Sequence, residues 1–355
     1  MKRTGRAHGL LPLIGSFFIL MIVGCGGGGG ENPPDDTTPK PYTCSGTPAT
    51  CLRIASAWTF EGIVLDQGQT GNGGPDPWII RLDDGRYRLY YAVADTPADP
   101  DWWGMVSWIS SDGLSFTKEA GYRFEGYTLF AHCIVRNPDG SYRMYWLDQK
   151  QGSVNNLGYK AIKSALSTDG GLTFTADPGE RLTYSGTGYE TNGIGGGRVT
   201  LLGNGQFRMY YRGVSDYGRM LSAVSSDGLS FTREAGVRLD KLCPPESGAP
   251  GITPVVDALG AFHTFTQAVR CTGNYVNSKA GLFDGTSPDG LTISIDAAPF
   301  VQGYSKDGTL QNQVEPEDFT VVQTPDGLRV YFILYNAGKV IPETAIYSVI
   351  NKSIK

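Results

Sequence analysis

The sequence predicts an all-β fold: a five-bladed β-propeller of four-stranded antiparallel blades, its ring closed by an N-terminal strand. Three observations carry that prediction. A turn glycine followed by alternating apolar and polar residues recurs at Gly85, Gly140, Gly205, Gly260 and Gly327, leading RYRLYYA, SYRMYWL, QFRMYYR, AFHTFTQ and LRVYFIL. A second turn, Ser-x-Asp-Gly, recurs at Ser110–Thr117, Ser167–Phe174 and Ser225–Thr232 and, degraded, at Ser287–Thr292. Composition agrees, since 49 Gly and 19 Tyr in 355 residues with hardly any helical periodicity suit a turn-dense β protein.

Period-two alternation bounded by Asp-Gly or Asn-Gly turns is the mark of antiparallel hairpins. A repeat of about 60 residues means that each unit buries its faces against its neighbours, and a closed ring of such units leaves only short sheet edges. Each complete unit ends in a fourth strand, FTKEAGYRFEG from Phe116 and FTREAGVRLDK from Phe231. The final unit, through Thr344–Ile350, lacks it, and a similar stretch stands near the start, WTFEGIVL at Trp58–Leu65. That N-terminal strand is expected to complete the last blade and latch the ring.

Ahead of the propeller, expected over residues 52–355, the chain reads as an export signal and a tether. Lys2, Arg3 and Arg6 precede an apolar run, Leu10–Gly24, whose length fits a signal h-region better than a bilayer span. The run ends Ile22-Val23-Gly24-Cys25, which resembles the lipobox of bacterial lipoproteins. The resemblance implies cleavage after residue 24 and lipidation of Cys25, with residues 25–51 as a Gly- and Pro-rich tether. The expected location is outside the cell, lipid-anchored to a bacterial membrane, at the outer membrane or cell surface. Export permits disulfides, and Cys44 with Cys51 and Cys243 with Cys271 are the economical pairs, leaving Cys133 as a buried thiol.

With 30 Lys+Arg against 35 Asp+Glu and no basic block, nucleic acid is not an expected partner. Metal-ligand spacings such as C-x-x-C are missing, so no metal site and no cofactor are expected; a Ca²⁺ in the central channel is compatible with the sequence without being specified by it. Chemistry is expected where the first strands begin, because all blades converge there at the mouth of the channel. Nine residues before the five turn glycines stand Asp76, Ala131, Gly196, Gly251 and Asp318. Two are carboxylates, in the Pro-restricted contexts Gly-Pro-Asp76-Pro77-Trp78 and Val-Glu315-Pro316-Glu317-Asp318. Glu190 and Glu246 lie further ahead of their blades.

The stretch Asp76-Pro77 followed by DDGRYRLYY resembles the five-bladed propeller glycosidases, the arabinanase, xylosidase and β-fructosidase superfamily. That resemblance implies a carbohydrate substrate, Asp76 as general base or nucleophile, and a third-blade Glu as general acid, for which Glu190 is the nearest match. The second-blade Asp of the pattern is replaced by Ala131-His132-Cys133, so Glu317 or Asp318 of the last unit, adjacent to the first after closure, are candidates for the missing acid. Paired carboxyls suit this chemistry because one must stay protonated for the leaving oxygen and the other ionised. Trp102 and Trp103 are candidate sugar-stacking residues, Arg212, Glu246 and His132 candidate polar contacts. Trp146 is expected to pack between blades. Ser167–Phe174 resembles the Asp-box of sialidases, a structural turn between outer strands, which makes a sialidase-like propeller the lesser alternative. The missing second-blade acid keeps a second reading open, a non-catalytic lipoprotein that binds a glycan or a protein.

Overall fold

The computed structural model describes residues 44, 46, 48–70, 76–93, 103–125, 129–148, 161–215, 218–240, 251–256, 262–272, 274–305, 313–336 and 345–354. Cys25, Trp102, Cys243 and Glu246, and with them the signal, lipidation and part of the disulfide expectation, lie outside the described residues. So does the side chain of Cys271.

The described strands form five antiparallel sheets arranged as a β-propeller. Blade one runs Trp78–Arg81, Tyr87–Val93, Gly104–Ser110 and Thr117–Lys118 from the channel outward. Blade two is Leu129–Arg136, Tyr142–Asp148, Ala161–Ser167 and Thr175–Ala176, and blade three Gly193–Leu201, Phe207–Val214, Gly218–Ser225 and Thr232–Arg233. Blade four has Gly251–Val256, the long hairpin Phe262–Thr272 and Asn274–Phe283, then Gly285–Ser287 and Ser294–Ile295. Blade five takes Gln313–Thr324, Gly327–Asn336 and Ile346–Asn351 from one end of the chain and Thr59–Leu65 from the other. The expected closing strand is therefore in place.

One contact recurs between blades. The second-strand tyrosine donates its hydroxyl to a glycine carbonyl in the Ser-x-Asp-Gly turn of the next blade: Tyr90 to Gly171 at 3.0 Å, Tyr145 to Gly228 at 2.8 Å, Tyr210 to Gly290 at 2.7 Å and Tyr331 to Gly113 at 2.8 Å. Two residues earlier an arginine reaches the same turn, Arg143 to the Asp227 carbonyl and Arg329 to that of Asp112. The arginine's other nitrogens grip the acid of its own blade's fourth strand. Arg88 holds Glu119, Arg208 holds Glu234, and Arg329 holds Glu61 of the closing strand in the same way. The polar positions of the alternating pattern are thus buried between blades, not turned to solvent.

The turn itself explains its sequence. The Asp227 side chain accepts the N–H groups of Leu229 and Ser230, each at 2.8 Å, and the Ser225 hydroxyl accepts that of Gly228. Those backbone hydrogen bonds hold the Asp227 carboxyl below the usual carboxylate range. Gly228 has φ +70°, and a Cβ there would stand 2.8 Å from the Tyr145 hydroxyl.

The clasp is absent at one junction, for a topological reason. In blade five the turn between third and fourth strands is replaced by Asn351-Lys352-Ser353, because the fourth strand comes from elsewhere in the chain. Blade four has correspondingly Phe265 opposite Thr253, where blades one and three set Tyr90 opposite Trp78 and Tyr210 opposite Arg198, and His263 in the arginine position. The N-terminal segment bridges this seam: Arg53–Ile54 pairs with Val301–Gln302 of blade four before Thr59–Leu65 joins blade five. Trp58 stacks on Phe300 with centroids 4.2 Å apart and meets Phe265 edge-on, and Cys51, bonded to Cys44, is buried in the same cluster.

Gly228→Ala is expected to destabilise the fold by roughly 2 kcal/mol, because it combines left-handed strain with a clash on the clasp. Gly205→Ala, at φ +82° with no neighbour within 4 Å, carries the strain alone and costs less. Urea midpoints of the two variants check the order; equal losses would contradict it.

Candidate functional site

The first strands of the five blades line the channel, and those of blades five and one are neighbours. Near their starts, three of these strands bulge: between Phe130 and Cys133, between Ile194 and Gly197, and at Asp318 between Glu317 and Phe319. A bulge re-aims side chains, here at the mouth. Trp78 lies opposite Tyr90 and Thr320 opposite Tyr331, both clasp tyrosines, so Asp76 and Asp318 occupy equivalent places two residues ahead. Their backbones are strained as well. Asp76 has φ +79° and Asp318 φ +38°, and they are the two positive-φ residues other than glycine among the described residues.

The two carboxyls meet. Asp318 shares a hydrogen bond with Asp76, and its carboxyl is held well above the ordinary range by burial and by the Asp76 charge, against the opposing pull of Arg198. A buried carboxyl next to another carboxylate resists ionisation, and here it is Asp318 that keeps its proton. Arg198 balances the remaining charge: its guanidinium stands 3.3 Å from Asp76 and 5.1 Å from the ring centre of Trp78, and it donates to the His132 carbonyl. Trp78 is fixed in turn by its indole N–H, given to the Ile134 carbonyl at 2.9 Å.

Glu317 and Glu315 extend this acidic wall. Each keeps some contact with solvent yet is surrounded by protein, as a narrow channel requires. Burial, then the charges of Glu315, Asp318 and Asp76, push the Glu317 carboxyl well above its ordinary range. Burial raises Glu315 to about 7. The surroundings are apolar or neutral. Burial lowers His132 to about 4, so its imidazole is uncharged at neutral pH, and neither ring nitrogen has a hydrogen-bond partner among the described residues. Tyr91 is buried with its hydroxyl likewise unpaired, its ionisation suppressed by burial and by the Asp318 and Asp76 charges.

Glu190 stands in a different network. It ends the short turn Gly188–Glu190 and takes two hydrogen bonds from Arg233, at 2.8 and 2.7 Å, one from the Tyr211 hydroxyl and one from the Ser185 N–H. Burial alone would raise its carboxyl, but these donors bring it below its ordinary value. Trp103 is half-buried against the core of blades one to three, and Trp146 is buried with Phe124, ring centres 5.1 Å apart. Arg212 packs over Gly195, where a Cβ would stand 2.7 Å from its Nε, which accounts for part of the glycine run at 193–197.

The structure thus brings together Asp76, Glu317, Asp318 and His132 and adds residues that sequence reasoning did not select: Arg198, Glu315, Tyr91 and Trp78. Arg198 had a signal. Seven residues before the turn glycines stand Trp78, Cys133, Arg198, Thr253 and Thr320, and a lone cation among inward positions calls for a buried anion.

No family model and no curated protein matches the sequence. Solved structures do match the fold. A family 117 glycoside hydrolase of the marine bacterium Zobellia galactanivorans superposes with a TM-score of 0.56 at 14% identity, over 84% of this chain and 90% of the other. An endo-arabinase of Bacteroides thetaiotaomicron gives 0.55 at 13%, over 82% and 97%, and a thermostable family-43 glycoside hydrolase 0.53 at 14%, over 77% and 87%. At such identity the likeness is one of fold, and it agrees with the propeller expectation.

The raised acids set a pH dependence. Glu315 loses its proton near its ordinary 4.5 when unfolded and near 7 when folded, so between these values the folded chain binds more protons and stability falls as pH rises. Glu315→Gln removes that slope. Its stability relative to the parent is expected to rise from pH 5 to pH 8 in urea titrations; His132, which acts with the opposite sign, is common to both proteins. A relative stability that stays flat would contradict the burial of Glu315.

Proposed function

We propose that the chain is a glycoside hydrolase-like propeller that acts on a carbohydrate through its channel-mouth carboxylates. The observation that carries this reading is the pair Asp76–Asp318, two acids held at left-handed φ and in hydrogen-bond contact beside Arg198. Folding alone does not call for such a concentration of strain and buried acid. Because the two carboxyls touch, they are too close to serve as the separate acid and base of glycoside cleavage, whose carboxyls stand about 5–9.5 Å apart. The pair acts as one group: Asp318 keeps a proton, and Asp76, paired with Arg198, is the base or nucleophile. Glu317, kept protonated by burial and by its acidic neighbours, is the general acid. Glu190, clamped and ionised, is not assigned proton transfer. The expected export and lipid anchor at Cys25 would place this mouth where extracellular polymers are met.

The second reading, a glycan-binding propeller without turnover, is favoured by Ala131 at the equivalent place in blade two and by the full engagement of Glu190 with Arg233. Release of reducing sugar from a polysaccharide panel separates the two. Parent protein is expected to cut at least one substrate, with the rate falling as alkaline pH removes the Glu317 proton. Asp76→Asn and Glu317→Gln should each lower kcat at least a hundredfold while circular dichroism shows both variants still folded at the assay temperature. Binding without release by the parent would establish the second reading, and full activity of Asp76→Asn would sink the first.

A further inference from the structure

Tyr189 is the one exposed aromatic side chain among the described residues, 45% accessible, and it is not loose. It sits in the turn Gly188–Glu190, just ahead of the first strand of blade three. Asp76 likewise precedes the first strand of its blade, so both are at the same end of the ring. Gly196 is the blade-three equivalent of Asp76, and its strand begins three residues earlier, at Gly193. Tyr189 therefore stands at the mouth end of blade three, set outward from the channel over the third strand that carries Arg219.

The turn is rigidly built. The next residue, Glu190, is buried and anchored to Arg233, Tyr211 and the Ser185 N–H, joining the turn to both inner and outer strands of the blade. Gly213 lets the second strand approach, since a Cβ there would stand 2.8 Å from the Tyr189 carbonyl. Beneath the ring lies the Arg219 guanidinium, 4.6 Å from its centre, itself held by Asp240 at 3.4 Å and by the Ser215 hydroxyl at 3.2 Å. One face of the tyrosine is thus backed by a fixed plane and the ring stays accessible. Among the described residues the charges around it are matched, Arg219 by Asp240 and Glu190 by Arg233, which suits a neutral ligand.

We propose that Tyr189 is a stacking platform for a neutral sugar ring of a chain whose scissile bond lies at the Asp76–Asp318 pair, and that Glu190 is the residue that positions it. This rests on the carbohydrate reading of the mouth. A flat, preorganised, amphipathic ring suits the C–H face of a sugar, and its place over the third strand, outward from the strands that line the channel, makes it a contact for units away from the bond that is cut.

The test uses the full chain carrying Asp76→Asn, so that bound polymer survives, with arabinan, xylan, galactan and β-glucan as probes in affinity electrophoresis. Adding Tyr189→Ala is expected to weaken binding of the recognised polymer about tenfold, and Tyr189→Phe to restore it. Binding within twofold of the Asp76→Asn protein would overturn the platform while leaving the carbohydrate reading intact; failure of the parent and of Asp76→Asn to bind or cut any probe would overturn both. In the otherwise unaltered protein, Glu190→Gln is expected to raise KM severalfold with a smaller change in kcat. A loss confined to kcat would place Glu190 at the reacting bond and refute its positioning role.

Discussion

A tyrosine hydroxyl donated to a glycine carbonyl of the neighbouring sheet is the contact on which the ring depends. It is made from blade one to two, two to three, three to four and five to one, each time with an arginine two residues earlier. Each such bond contributes only about 1 kcal/mol, but it fixes the rotation of one sheet against the next and forces glycine into the acceptor turn. The arginines couple this outward link to the fourth strand of their own blade. Charged groups so deeply placed are tolerated because each arginine is paired with an acid of its own blade and bonded to a backbone carbonyl of the next. Where the chain's own topology removes the acceptor turn, phenylalanine and histidine replace tyrosine and arginine, and the N-terminal segment with Trp58 and the Cys44–Cys51 disulfide covers the gap.

The site follows from that closure. Asp76 belongs to the first blade and Asp318 to the last, and they meet because Thr59–Leu65 completes the sheet that carries Asp318 and Arg329 ties this sheet to blade one. Local strain then does the aiming: a bulge in the first strand and two left-handed aspartates direct both carboxyls at one point. A rigid ring can hold such strain, whereas a loop would relax it. The apolar and neutral lining from His132, Tyr91 and Trp78 lowers the local dielectric, which raises the proton affinity of Glu317 and Asp318 and strengthens the hold of Arg198 on Asp76.

The fold was legible in the sequence to the level of blade count and closing strand, because the turn glycines and the Ser-x-Asp-Gly turns answer to backbone geometry that few other residues satisfy. Glu61 in WTFEGIVL matches Glu119 in FTKEAG, and both prove to be partners of a second-strand arginine. Asp76 and Asp318 were legible through their common offset from the turn glycines. The role of Arg88, Arg208 and Arg329 was not, since an alternating pattern implies a wet face and cannot register that another sheet covers it. Glu190 matched in residue type and blade but not in surroundings: what decides its state is Arg233, 43 residues away, which no local reading connects to it.

Asp318, buried beside Asp76, keeps its proton at neutral pH. Side-chain ¹³C NMR of the aspartate carboxyls, assigned with Asp318→Asn, measures it directly. The Asp318 carboxyl is expected to show the protonated shift at pH 7. An ionised Asp318 at that pH, titrating near the ordinary aspartate value of about 3.9, would contradict the account.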